Sequence, residues 1–142
     1  MRILGLDFGD RRIGIAISDK LLLTAQALGC YHVRGQKKDA IYFKNLVQQY
    51  EIGEIVIGLP LRMDGTQGTR VEKTKKFASW LEKTLKLPVV FWDERLTTRQ
   101  ALQVLGEEKG MASKKKRFKD QVSAALILSC YLESRRLKQN DG

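Results

Sequence analysis

Cysteine, proline and histidine are scarce in this 142-residue chain: two, two and one. Cys30 and Cys130 are too few and too far apart for a disulfide framework or a zinc-ligand spacing, and both read as buried thiols. His32 sits in a strand-like stretch, where a structural place suits it better than a catalytic one, and no Ser-His-Asp or Cys-His arrangement stands out around it. No apolar run is long enough to cross a bilayer. Repeats, low-complexity tracts and linkers are absent as well, so the chain reads as one domain over residues 1–142. Met1-Arg2 leads straight into an apolar run, which leaves no signal or transit peptide, and the protein is expected to be soluble and cytoplasmic. Acids are outnumbered, 16 against 26 Lys and Arg, for a formal net charge of +10. Such a balance favours polyanionic partners. No basic segment also carries the apolar face of an interfacial helix, so nucleic acid is favoured over a membrane surface.

What is present is an apolar chain with clear punctuation. The opening stretch, Ile3 to Ser18, holds two apolar runs around Gly9-Asp10-Arg11-Arg12 and reads as a β-hairpin. A third strand is expected within Leu21 to Val33, bent near Gly29. A helix follows, with Ile41, Leu46, Val47 and Tyr50 as its apolar face. Glu54 to Leu59 is a short buried strand ended by Pro60, and Leu61 to Gly68 is a loop. Thr69-Arg70-Val71-Glu72 has the form of a capping box, opening a helix with a stripe of Val71, Phe77, Ala78, Leu81 and Leu85. Pro88 to Trp92 is the fifth strand. A second capping box, Thr97 to Gln100, opens a helix to about Glu108; a basic loop spans Gly110 to Lys119, and a last helix runs from Asp120 to Leu137. Trp80 and Trp92 read as core residues. The order β-β-β-α-β-α-β-α-α indicates an α/β fold, a five-stranded mixed sheet covered on both faces.

Sites in such sheets form at the carboxyl ends of parallel strands. Asp7 ends the first strand, where a charge among apolar residues needs a metal, a basic partner or solvent to compensate it. Asp93-Glu94 ends the fifth, and Asp120 opens the last helix. Clustered carboxylates suit Mg²⁺ or Mn²⁺, and two such ions about 4 Å apart would clamp the attacking and leaving oxygens of a phosphodiester. Each acid also has a plainer reading. Asp120 would cap a helix, and Glu94 or Asp93 would pair with Arg95 or Arg99 at the surface. Lys114, Lys115, Lys116, Arg117 and Lys119 form either a solvated loop or a clamp on a phosphate backbone, extended by Arg11, Arg12 and Arg62.

Leu6-Asp7-Phe8-Gly9 with Arg12-Ile13-Gly14, Gly58-Leu59-Pro60-Leu61 with Met63-Asp64-Gly65-Thr66, Asp93-Glu94-Arg95-Leu96-Thr97-Thr98, and Lys119-Asp120 before Ala124-Ala125 occur in that order. Together they resemble the YqgF family, also called RuvX, over nearly the whole chain. The resemblance implies an RNase H-like fold and a Mg²⁺- or Mn²⁺-dependent nuclease associated with maturing the 5′ end of pre-16S ribosomal RNA. It also implies an acidic site at Asp7, Glu94 and Asp120. Two departures stand out. Asp10 occupies a turn position where the family more often has a small hydroxyl residue. Gln121, Val122 and Ser123 follow Asp120, where true junction resolvases of this fold carry a second acid.

The leading expectation is a metal-dependent phosphodiesterase acting on structured or precursor RNA. A four-way DNA junction endonuclease keeps the chemistry and changes the substrate; it implies a homodimer, whereas the RNA reading is compatible with a monomer. A non-catalytic RNA-binding assembly factor would show salt-dependent affinity without metal dependence. An actin-like ATPase shares the Asp-x-Gly hairpin, but 142 residues are too few for its two domains.

Overall fold

The computed structural model describes residues 1–61, 68–96 and 112–141, with the side chains of the last segment described over 122–139. Strands β1 (Arg2–Phe8), β2 (Arg12–Ser18) and β3 (Ala25–His32) lead into helix α1 (Gln36–Tyr50). Then come β4 (Ile52–Leu59), α2 (Thr69–Leu85), β5 (Val89–Asp93), a 3₁₀ turn over Glu94–Leu96, and α3 (Ala112–Asp141). The five strands form one sheet in the order β3-β2-β1-β4-β5. β1, β4 and β5 are parallel, while β2 and β3 run antiparallel as a meander from β1.

Alternation along β1 explains the layering. Leu4 and Leu6 enter a core with Phe43 and Leu46 of α1 and Ala78 and Leu81 of α2, and Phe8 packs against that core. Ile3 points the other way, into a core with Ala124, Ile127, Leu128 and Leu132 of α3. Strand side chains alternate, so Gly5 and Asp7 share the α3 face with Ile3. The helix comes very close there: a Cβ built on Gly5 would lie 2.8 Å from Leu128 Cβ and 3.2 Å from the Ala124 carbonyl oxygen. At the other end of the sheet, Glu54 accepts hydrogen bonds from Tyr131 Oη (3.1 Å) and Arg135 (2.9 Å). These contacts set α3 antiparallel to β1, its later turns over the strand starts and its earlier turns toward the carboxyl edge. Gly5→Ala is therefore expected to cost about 1–3 kcal/mol through overpacking and to lower the melting temperature by several degrees. An unshifted melt would show that α3 does not sit so closely on β1.

Four details differ from the sequence reading. Ile41 is exposed, and the buried row of α1 is Asp39, Phe43 and Leu46, because residues spaced by four and three align while Ile41 falls opposite Asp39. Thr69 is the first residue of α2 rather than its cap; extended Gly68 holds the cap position, with no side-chain capping bond. The basic run over 114–119 lies in helix, and Asp120 falls more than two turns inside α3 rather than opening it. Between residues 112 and 141 there is neither Gly nor Pro, and Lys and Arg are good helix formers. Cys30 and Cys130 are half-buried rather than buried. The bend near Gly29 is present: the β2–β3 register shifts between Ile15 and Ala16, opposite Gly29 and Ala27, and Gly29 has φ +151°. The helix expected over 97–108 lies outside the described residues.

Candidate active site

Register places the carboxyl edge with some exactness. Leu6 pairs with Ile57 and Gly58 with Trp92, so Asp7, one step beyond Leu6, is level with Gly58 and Trp92 across three parallel strands. β5 ends at Asp93, and the chain turns at once into the 3₁₀ turn that begins with Glu94. Glu94 folds back over Gly58. A Cβ on Gly58 would lie 2.9 Å from Glu94 Cγ and 3.0 Å from Glu94 Cδ, so only glycine leaves room for the carboxylate stem.

The side chains of Asp7 and Glu94 meet in a hydrogen bond. Two carboxyl groups so close repel when both are charged, and the contact with Asp7 itself acts to lower the Glu94 pKa. Burial raises the Glu94 pKa, the Arg70 charge opposes that rise, and the neighbouring Asp93 adds to it. Asp93 itself is committed elsewhere. Arg95 reaches back and forks onto it, with Nε at 3.0 Å from both carboxylate oxygens and a terminal nitrogen at 2.6 Å from Oδ2. Those bonds hold the Asp93 pKa below its ordinary value. The surface pairing with Arg95 that the sequence allowed to either acid therefore belongs to Asp93, and Glu94 is left to Asp7.

On the Asp7 side of this pair is a polar cleft of about 260 Å³ lined by Asp7, Phe8, Gly9, Asp10, Arg11, Arg12 and Arg70. Arg11 is exposed in the β1–β2 turn, and Arg12, the first residue of β2, is half-buried. Gly9 makes the turn tight, since a Cβ there would lie 2.7 Å from the Arg12 carbonyl oxygen. Asp10 faces solvent and pairs with Lys73 at 3.4 Å, both side chains more than half exposed, a contact of little energetic weight. Arg70, on the first turn of α2, is a cleft residue that was not singled out from the sequence. Its signal was available: a basic residue directly after a glycine-containing loop at a carboxyl edge.

Several expected residues are not among the described side chains. Arg62 lies outside the described residues, as do the side chains of Lys114, Lys115, Lys116, Arg117, Lys119 and Asp120, whose backbone is the start of α3. Among the described residues, no three His, Cys, Asp or Glu side chains form a metal-binding group. The Asp7–Glu94 pair is compatible with a hard divalent cation all the same: its donors are all oxygen, and Mg²⁺ typically takes one or two protein carboxylates with water and phosphate completing the shell.

Comparison with known proteins agrees with this architecture. T. thermophilus RuvC, solved in complex with a Holliday junction substrate, superposes with a TM-score of 0.54 at 13% identity, covering 96% of each chain. The fowlpox virus Holliday junction resolvase gives 0.53 at 13% identity, over 94% of this chain and 99% of that one. At such identities the likeness establishes the fold, which is RNase H-like. Much closer in sequence is a protein of Halothermothrix orenii, 48% identical over 132 residues, 93% of this chain and 94% of its own. Another, of Koribacter versatilis, is 44% identical over 140 residues, 99% and 92% of the two chains. Both carry the name "Putative pre-16S rRNA nuclease". The family model RuvX, described as Holliday junction resolvase, matches residues 1–134, and with these relatives it shows that the chain belongs to the RuvX family.

Proposed function

We propose that the chain is a Mg²⁺- or Mn²⁺-dependent nuclease that hydrolyses phosphodiester bonds of precursor ribosomal RNA, at the 5′ end of pre-16S RNA. The observation that carries this reading is the Asp7–Glu94 carboxyl pair at the carboxyl edge, faced by Arg70 and flanked by Arg11 and Arg12. Two acids held against each other, one of them raised in pKa by burial, are unfavourable for a purely structural site. They suit a site that a cation completes. Asp7 and Glu94 would hold the metal, which when bound activates water and offsets charge on the phosphoryl oxygens. Arg12 and Arg70 bring positive charge to the same cleft, where a backbone phosphate would bind without base readout.

Asp120 is assigned as the third acid, and the helix register supports it. It stands four residues before Ala124, on the row that carries Leu128 and Leu132 over β1. Four helical residues advance about 6 Å, close to the two strand residues from Gly5 to Asp7 at about 6.6 Å. Lys114 to Lys119, preceding it in the same helix, are assigned to the phosphate backbone. The curated relatives carry rRNA nuclease in their names, which favours RNA over branched DNA as substrate.

The test is cleavage of a labelled pre-16S 5′-leader RNA and of a four-way DNA junction, each with Mg²⁺, with Mn²⁺ and with EDTA. RNA is expected to be cut with either metal and left intact in EDTA. Cutting of the junction alone would move the assignment to a junction endonuclease. Salt-sensitive binding with no cutting under any condition would replace the enzyme with an assembly factor.

A further inference from the structure

Around the end of β1 from the carboxylate cleft lies a second hollow, of about 350 Å³, that the reaction does not use. The two adjoin, because Phe8 and Asp10 line both. Asp7 faces α3, whereas the next residue, Phe8, faces α1 and α2. The wall of the hollow is aromatic. Phe77 stacks on Phe8 with ring centroids 4.6 Å apart, and Trp80 lies 5.9 Å beyond Phe77 at a tilt of 35°. None of the three rings is fully buried. Lys73 and Lys76, one turn apart on α2 and both exposed, also line it. Among the described residues, Lys73 has its exposed pairing with Asp10 to give up.

The buried Asp39 fixes the opposite side. Its Oδ1 accepts from Tyr31 Oη at 2.6 Å and from the Arg34 amide at 2.9 Å, tying β3 to the start of α1. Burial, with that hydrogen bond second, pushes the Tyr31 pKa up to about 12, so the clasp keeps its proton throughout the neutral range. The hollow is thus preformed, apolar on one wall and cationic at its rim, and its volume is within the range of small-ligand sites.

We propose that this hollow receives one unpaired base of the RNA strand whose backbone lies across Asp7 and Glu94, an inference that rests on the nuclease reading. Partly exposed rings give a base a stacking surface that tolerates any sequence, and ammonium groups beside them meet the flanking phosphates. The net charge of +10 and the shared lining of the two hollows point to the same polyanion. Phe8 follows Asp7 directly, about 3.8 Å away along the chain, so the bound base belongs to a nucleotide close to the cleaved bond.

The experiment is an abasic walk. A short single-stranded RNA is bound by the wild-type protein in EDTA, so that cutting plays no part, and one base at a time is removed while every phosphate stays. Affinity is expected to fall about tenfold at one position and little elsewhere. Trp80→Leu is expected to bind the intact RNA about tenfold more weakly and to flatten the walk, while Trp80→Phe, which keeps a ring, restores most of both. Lys76→Ala, a surface change that leaves the aromatic wall in place, is expected to reduce the slope of log affinity against log salt by about 0.7. A walk that is flat in the wild type, or a dip that persists in a folded Trp80→Leu, overturns the base site. Should Trp80→Leu not fold, an unchanged salt slope in Lys76→Ala does so. Metal-dependent cutting with a flat walk removes this inference and leaves the nuclease standing; a positioned dip without cutting removes the nuclease and leaves the base site.

Discussion

Asp7→Asn is expected to lose at least about a thousandfold in RNA cleavage, with no loss of stability. Removing a single group that stabilises a transition state usually costs about 10²–10³, and Asp7 would also be lost as a metal ligand. The stability half of the expectation comes from the carboxyl pair. In the wild type, Asp7 and Glu94 bring two carboxyl groups into contact, with the Glu94 pKa raised chiefly by burial. Asparagine offers an N–H in the same place and needs no proton to do it. The folded variant therefore keeps the contact and sheds a potential like-charge repulsion, and in EDTA its melting temperature is expected to equal or exceed that of the wild type. Adding Mg²⁺ is expected to raise the wild-type melt and to leave the variant where it was, since only a protein that binds the ion gains from it. Full cleavage by a folded, cleanly purified Asp7→Asn would falsify the assignment of Asp7. A variant that is inactive because it melts early would instead make Asp7 a structural residue.

Much of this site was legible in the sequence because it depends on strand ends, and strand ends are written in local chemistry. The unbroken apolar run of β1 carries its one acid at the penultimate position, and β5 runs directly into two acids. Parallel pairing then brings those positions to one edge, as expected from the sequence if these strands were parallel. The Asp7–Glu94 contact needed more, namely that Glu94 rather than Asp93 turns inward. That choice depends on Arg95 folding back two residues to take Asp93, a geometry set by the 3₁₀ turn and not by composition.

Helix boundaries were harder to read. Three lysines and an arginine in a row look like a loop, all the more because positive charge near a helix start opposes the dipole. Intrinsic propensity over an uninterrupted stretch without Gly or Pro outweighs that penalty in α3. Arg70 was obscured by a different ambiguity. Thr69 to Glu72 fits a capping box, but Gly68 adopts the extended cap conformation itself, and Thr69 becomes the first helical residue. The arginine next to it then lines the cleft with Asp7 instead of serving as filler in a capping motif.

Gly58→Ala is expected to separate positioning of Glu94 from packing of α3. The new methyl would lie 2.5 Å from Ile127 Cδ1 and 2.9 Å from Glu94 Cγ, so both neighbours have to yield. Ile127 is buried to 1% exposure in the α3 core, and overpacking there costs about 1–3 kcal/mol. Glu94 is pushed off the strand edge, and a displacement of about 1 Å in a catalytic group can cost about 10²-fold in rate. Cleavage by Gly58→Ala is accordingly expected to fall about a hundredfold, chiefly in kcat, because the RNA contacts proposed for Arg11, Arg12 and Arg70 do not involve Glu94. The double variant Gly58→Ala, Ile127→Val makes the separation explicit. Shortening Ile127 removes the Cδ1 that the methyl meets and returns most of the lost stability, but it does nothing to bring Glu94 back to Asp7. Stability recovered with activity still low is the expected outcome, read from thermal melts beside single-turnover cleavage. If the double variant recovers both together, glycine at 58 serves the α3 interface alone, and Glu94 does not need the place that the bare backbone gives it.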